Sequence, residues 1–131
     1  QGLSGKHFAM WGLAFKPETD DIREAPALVL IKKILEHGGT VSAYDPEAME
    51  HVRPLFSDTP GLTLVADKNA ALHNADALLL ITEWNQFRTV DWVSVKSLLK
   101  EPVVYDGRNI YDPASMKENG FEYYGIGRRQ V

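Results

Sequence analysis

Residues 76–82 read Asp-Ala-Leu-Leu-Leu-Ile-Thr, an unbroken apolar run between two polar residues. A strand with one wet face alternates. This one does not, so both of its faces must be covered. The run "HFAMWGLAF" at 7–15 and the shorter "PVVYD" at 102–106 behave the same way. Segments of a different period lie between such runs. From Ala27 to His37, Leu28, Ile31 and Leu35 recur every three or four residues, as do Leu30 and Ile34, while Lys32, Lys33, Glu36 and His37 take the wet side. That is an amphipathic helix. Pro26 suits its first turn, and Gly38-Gly39 supplies a left-handed stop.

The same alternation continues along the chain. Further strands are expected at "TVSAYD", "LTLVAD" and "FEYYGIG", and further helices at 45–56, 67–75, 90–100 and 112–120. Asp45 and Asp112 each precede a proline, and Asp67 precedes "KNAALHNA"; all three are read as helix caps. Buried strands alternating with helices define an α/β protein: a doubly wound, mostly parallel sheet of about five or six strands with helices on both faces, a Rossmann-like arrangement. Neither a linker nor an internal repeat interrupts residues 1–131, so one domain is expected, and it is read as one cut from a longer protein.

Composition narrows the function. Fourteen basic residues against eighteen acidic ones give a net charge of −4, which opposes non-specific binding to nucleic acid or to an anionic membrane. The chain has no cysteine, which rules out disulfides, thiolate metal sites and a cysteine nucleophile within it, and fits a cytoplasmic protein. The four histidines fall on different elements without ligand spacing, so no metal site is expected. No apolar run is long enough to span a bilayer.

In a doubly wound sheet, ligands lie at the carboxyl ends of the strands. That rule selects Lys16–Glu24, Asp45-Pro46, "TEWNQF" at 82–87 and "DGRNIYD" at 106–112. The first of these has Gly12 alone where a dinucleotide fingerprint needs three glycines. Any anion contact must therefore come from side chains, with Lys16 as a point charge and Arg23 as a fork. The same charges also read as a purely structural cluster, in which Lys16 and Arg23 pair with Asp20, Asp21 and Glu24. Arg108 is equally open to two readings: a fork for a carboxylate or phosphate, or a partner of Asp106 or Asp112. Trp84 can stack on a base or cover a helix end. Asp45 stands where a ribose-binding acid would, but its helix cap accounts for it.

Taken together, "GLAFKPETDDIREAP", "AYDP", "TEW" with Phe87 beyond it, and "VVYDGRNIYD" resemble the C-terminal domain of the UDP-glucose/GDP-mannose dehydrogenase family, and within it the UDP-glucose 6-dehydrogenases. The likeness covers nearly the whole chain in order and spacing. It implies an NAD-dependent oxidation of UDP-glucose to UDP-glucuronate. A separate N-terminal domain would hold NAD, and a central helical region would carry the catalytic cysteine and the contacts of a homo-oligomer. It further implies that Phe15 lies near the uridine and Lys16 near the sugar, that Arg108 contacts the UDP-sugar, and that Arg23 reaches the NAD pyrophosphate across a domain interface. Asp20, Asp21 and Glu24 would shape the arm carrying these groups. Many relatives have Ser before the proline, where this chain has Ala25, so the helix start must be capped otherwise. Lacking the cysteine and the fingerprint, the chain is expected to fold autonomously and to be catalytically silent alone. The alternatives are a structural or oligomerising domain without ligand contacts, or a dehydrogenase for another sugar such as UDP-N-acetylmannosamine or GDP-mannose. A signalling receiver fits less well, because Thr82-Glu83 and Asp106-Gly107 stand where its later acid and lysine would be.

Overall fold

The computed structural model describes residues 3–23 and 25–125. Six strands form one sheet: β1 (His7–Trp11), β2 (Thr40–Tyr44), β3 (Leu62–Leu64), β4 (Ala77–Leu80), β5 (Val103–Asp106) and β6 (Glu122–Gly125). Their spatial order is β3-β2-β1-β4-β5-β6, and every pairing is parallel. Five helices connect them: α1 (Pro26–Glu36), α2 (Met49–Val52), α3 (Lys68–Leu72), α4 (Trp92–Leu98) and α5 (Pro113–Glu118). The expected doubly wound α/β sheet is therefore present, with all of its strands parallel. Ile126 and Gly127, expected to extend the last strand, lie outside the described residues.

The order reverses between β1 and β4. Right-handed crossovers put α1 and α2 on one face and α3, α4 and α5 on the other; consistent with this, α3 packs on β1, β2 and α4. Among the described residues, helices consequently cover the first face over only half of its width. Along one register row, Ala43, Met10, Leu79 and Tyr105 are 0%, 0%, 6% and 41% exposed. Beyond Tyr105 the row continues to Tyr124, whose ring stacks on it at 4.9 Å.

α1 buries Ala27, Ile31 and Ile34, an i, i+4, i+7 stripe, with Leu28, Leu30 and Leu35 partly buried beside it. Its N-cap, Ala25, offers no side-chain hydrogen bond, and Gly38 follows its end at φ +90°. Asp67, Asp91 and Asp112 each accept a hydrogen bond from the backbone N–H three residues on, capping α3, α4 and α5. On the second face, buried Trp11 stacks on Phe87 at 5.0 Å, and Tyr44 meets that ring edge-on at 6.1 Å. Truncating either buried ring would cost about 3–5 kcal/mol.

Two expectations need correction. β1 ends at Trp11 rather than Phe15, because Gly12 takes φ +101° and the next two amides turn to a side chain instead of a neighbouring strand. Asp45-Pro46 does not begin a helix. A turn spans 46–48 before α2, and a 3₁₀ turn, Arg53–Phe56, completes the segment.

Candidate functional site

The loops after β1, β2, β4 and β5 meet at the carboxyl edge of the sheet. The loop after β1 carries Gly12 alone and no glycine-rich cradle. Side chains from the other three strand ends hold its first residues.

Asp45, at the end of β2, is fully buried. Its Oδ2 accepts from the amides of Leu13 at 2.7 Å and Ala14 at 3.0 Å, and from the indole Nε1 of Trp84 at 3.1 Å. Its Oδ1 accepts from the amides of Glu47 and Ala48, each at 2.8 Å. The helix-cap reading of Asp45 is therefore corrected too: α2 starts only after Ala48, and Oδ1 closes the 46–48 turn while Oδ2 holds the β1 loop. Thr82, after β4, is also fully buried and donates from Oγ1 to the Ala14 carbonyl at 2.7 Å. Arg108, after β5, donates from Nη2 to the Phe15 carbonyl at 3.0 Å and from Nε to the Ile81 carbonyl at 2.9 Å. Three consecutive residues, Leu13, Ala14 and Phe15, are thus gripped by three different strand ends.

Arg108 has its own support. Asp106, fully buried, accepts the Arg108 amide on Oδ1, and the amides of Ile110 and Tyr111 and the Tyr123 hydroxyl on Oδ2. The carboxylate facing the Arg108 guanidinium is Glu83, at 3.4 Å, rather than Asp106 or Asp112.

Each residue singled out from the sequence lies at this edge. Phe15 is 44% exposed and Lys16 is exposed. The Arg108 side chain is one-third exposed, and the two carbonyls take two of its five donors. Arg108 therefore holds the Phe15 carbonyl directly, one residue before Lys16. Arg23 stands apart from them. Its side chain is 88% exposed and makes a bidentate pair with Asp21 at 2.9 and 3.0 Å. That fork, aided by the Arg23 amide and the Lys16 charge, lowers the Asp21 carboxyl to about 2. The Asp21 carbonyl accepts from the Phe15 amide at 2.7 Å, so the Arg23 turn and the Phe15-Lys16 turn close on one another. Asp20 pins the arm to α2 through His51 Nε2 at 2.8 Å. Asp20 and Asp21 thus do shape the arm; Glu24, assigned the same task, lies outside the described residues.

Open clefts flank the arm. One of ≈ 360 Å³ is lined by Glu18, Asp20 and Glu47 together with Thr19 and Trp84. Three carboxylates make it a poor seat for a phosphate. The crevice between β1 and β4 does not suit a dinucleotide pyrophosphate either. The Leu13 and Ala14 amides already face the Asp45 carboxylate, and Gly12 packs against Thr82.

The class this defines is a doubly wound α/β domain that offers Phe15, Lys16 and Arg108 at its carboxyl edge with no phosphate cradle of its own. Residues 9–113 match the UDP-binding domain of the UDP-glucose/GDP-mannose dehydrogenase family, and the chain belongs to that family. It is 49% identical over 127 residues to the UDP-glucose 6-dehydrogenase of Pseudomonas aeruginosa, matching 95% of this chain and 28% of that protein. Among solved structures, a UDP-glucose dehydrogenase from Pyrobaculum islandicum superposes with a TM-score of 0.76 at 32% identity, over 95% of this chain and 26% of that one. An NDP-N-acetyl-D-galactosaminuronic acid dehydrogenase from Methanosarcina mazei superposes with a TM-score of 0.79 at 28% identity, over 95% of this chain and 25% of that one. The chain thus spans under a third of the length of these relatives.

Sequence reasoning missed the three roles that assemble the site: Asp45 as a hub, Thr82 as a clamp and Asp106 as the support of Arg108. A polar residue ending each of three apolar strands was the available signal. Which strands are neighbours was not.

Proposed function

We propose that this chain is the UDP-sugar-binding domain of an NAD-dependent nucleotide-sugar dehydrogenase that oxidises UDP-glucose to UDP-glucuronate. The observation that carries the reading is the grip of Arg108 on the Phe15 carbonyl, which assembles Phe15, Lys16 and Arg108 on one edge. Phe15 offers an exposed ring for the uridine, Lys16 an ammonium for the sugar, and Arg108 its remaining donors for the diphosphate. Burial of such charge-assisted contacts is worth about 1.5–3 kcal/mol each. Two or three of them are enough to favour a closed site over an open one.

Under this reading NAD is held elsewhere in the enzyme, because the crevice of this domain is filled by its own carboxylate. Arg23 is the group that would reach the cofactor, after exchanging Asp21 for the pyrophosphate. The partners are the N-terminal and central domains of the same homo-oligomeric, cytoplasmic enzyme. Alone, the domain binds without turning over.

The test is the full-length enzyme carrying Lys16→Ala or Arg108→Ala. Each should raise the KM for UDP-glucose at least about tenfold, the equivalent of one charge-assisted hydrogen bond. Unchanged values in both would leave a structural or oligomerising domain. Assaying UDP-glucose beside UDP-N-acetylmannosamine and GDP-mannose identifies the sugar.

A further inference from the structure

In a glycine-rich nucleotide loop, the first amides after β1 turn to a phosphate supplied by the ligand. Here the Leu13 and Ala14 amides turn to Asp45 Oδ2, 2.7 and 3.0 Å away. The carboxylate is fully buried and has no exposed edge with which to meet a ribose. We infer that Asp45 is a positioning residue for the UDP-sugar: a resident anion that takes the place of a ligand phosphate and sets where Phe15 and Lys16 emerge. The inference rests on the proposed function above.

The geometry leaves the loop little other choice. Beyond Gly12, Leu13 and Ala14 have no strand neighbour, so an amide left bare there would be buried without a partner. Asp45 satisfies both amides, and Thr82 Oγ1 binds the Ala14 carbonyl from the β4 side at 2.7 Å. With both peptide faces held, the next two residues project as an arm of fixed direction. Trp84 Nε1 completes the shell of Oδ2 at 3.1 Å and fixes the β4 loop to the same atom. Closing the 46–48 turn alone would need only Oδ1 and the amides of Glu47 and Ala48.

Asp45→Asn keeps the shape but turns one acceptor oxygen into an NH₂ that must face N–H donors. In the full-length enzyme it should raise the KM for UDP-glucose about tenfold, with kcat reduced less than about threefold and the KM for NAD unchanged. Thr82→Val, which keeps the volume and removes one hydrogen bond, should raise the same KM about threefold. Asp45→Ala empties the anion position, and formate at constant ionic strength should bring the raised KM part of the way back where chloride does not. If Asp45→Asn folds and leaves the KM for UDP-glucose at its native value, the inference is overturned. If it does not fold, an unchanged KM in Thr82→Val, or Asp45→Ala without formate recovery, overturns it. Lys16→Ala and Arg108→Ala serve as reference. A raised KM there with no change at Asp45 or Thr82 rejects the inference alone, whereas no change at any position rejects the proposed function.

Discussion

Gly12 and Thr82 face each other across the β1–β4 junction so closely that a Cβ on Gly12 would lie 2.5 Å from both the Cβ and the backbone nitrogen of Thr82. Gly12 also sits at φ +101°, where an L side chain is strained. Gly12→Ala should therefore destabilise the domain by at least about 3 kcal/mol, combining backbone strain with overpacking. The lowered midpoint of urea unfolding measures it. A decrease under about 1 kcal/mol would mean that the two loops can separate freely.

Asp106 carries the turn that presents Arg108. Replacing it by Asn removes a buried charge that accepts four hydrogen bonds. The expected cost is about 2–4 kcal/mol. Tyr123→Phe deletes only the hydroxyl that donates to Asp106 Oδ2 at 2.8 Å and should cost about 1 kcal/mol. Chemical denaturation of both variants checks the ranking.

The Asp21–Arg23 pair has a pH signature. The Asp21 carboxyl titrates at about 2, below its ordinary 3.8, chiefly because the Arg23 side chain donates to it. A depressed folded-state value stabilises the native state above the unfolded pKa. That contribution fades as pH falls from about 3.8 through about 2. Carboxyl-carbon NMR should show Asp21 titrating near 2 in the native chain, and Arg23→Ala should bring it back toward 3.8. An unmoved titration in Arg23→Ala would assign the depression to the backbone and Lys16 instead.

Under the proposed function, Arg23→Ala distinguishes cofactor from substrate. In the full-length enzyme Arg23→Ala should raise the KM for NAD several-fold and leave that for UDP-glucose nearly unchanged, as expected for removing one charge-assisted hydrogen bond at an exposed position. Equal effects on both would place Arg23 with the sugar-binding group.

Arg108→Lys tests whether geometry or charge matters at that position. Lysine keeps the charge but cannot reach the Ile81 and Phe15 carbonyls with a planar fork. The KM for UDP-glucose should rise nearly as far as in Arg108→Ala. Full retention of the native KM would make Arg108 a point charge.

Strand and helix identity was legible because it rests on local pattern. "DALLLIT" could only be a strand covered on both faces, and Asp67 and Asp112 cap because their side chains reach their own backbones. The candidate residues Lys16, Arg23 and Arg108 were legible as charged groups on loops at strand ends, whereas Phe15 was read as the end of the first strand and was singled out only by the family resemblance. Where each strand stops was less legible: the apolar run 7–15 continues through Leu13 and Ala14, which are buried without belonging to β1. Burial alone does not separate a strand from a loop packed under its neighbours.

By itself, then, the sequence determined an α/β sheet, the caps at Asp67 and Asp112 and the sheet edge that carries the candidate residues, since periodicity and capping act over a few residues. Only the tertiary structure decided what holds that edge together. Asp45 lies 32 residues from Leu13 and 39 from Trp84, and Arg108 lies 93 from Phe15. Such contacts exist because the order β3-β2-β1-β4-β5-β6 sets β1 between β2 and β4, with β5 next to β4. A carboxylate read locally as a helix cap thereby became the anion around which the arm is built.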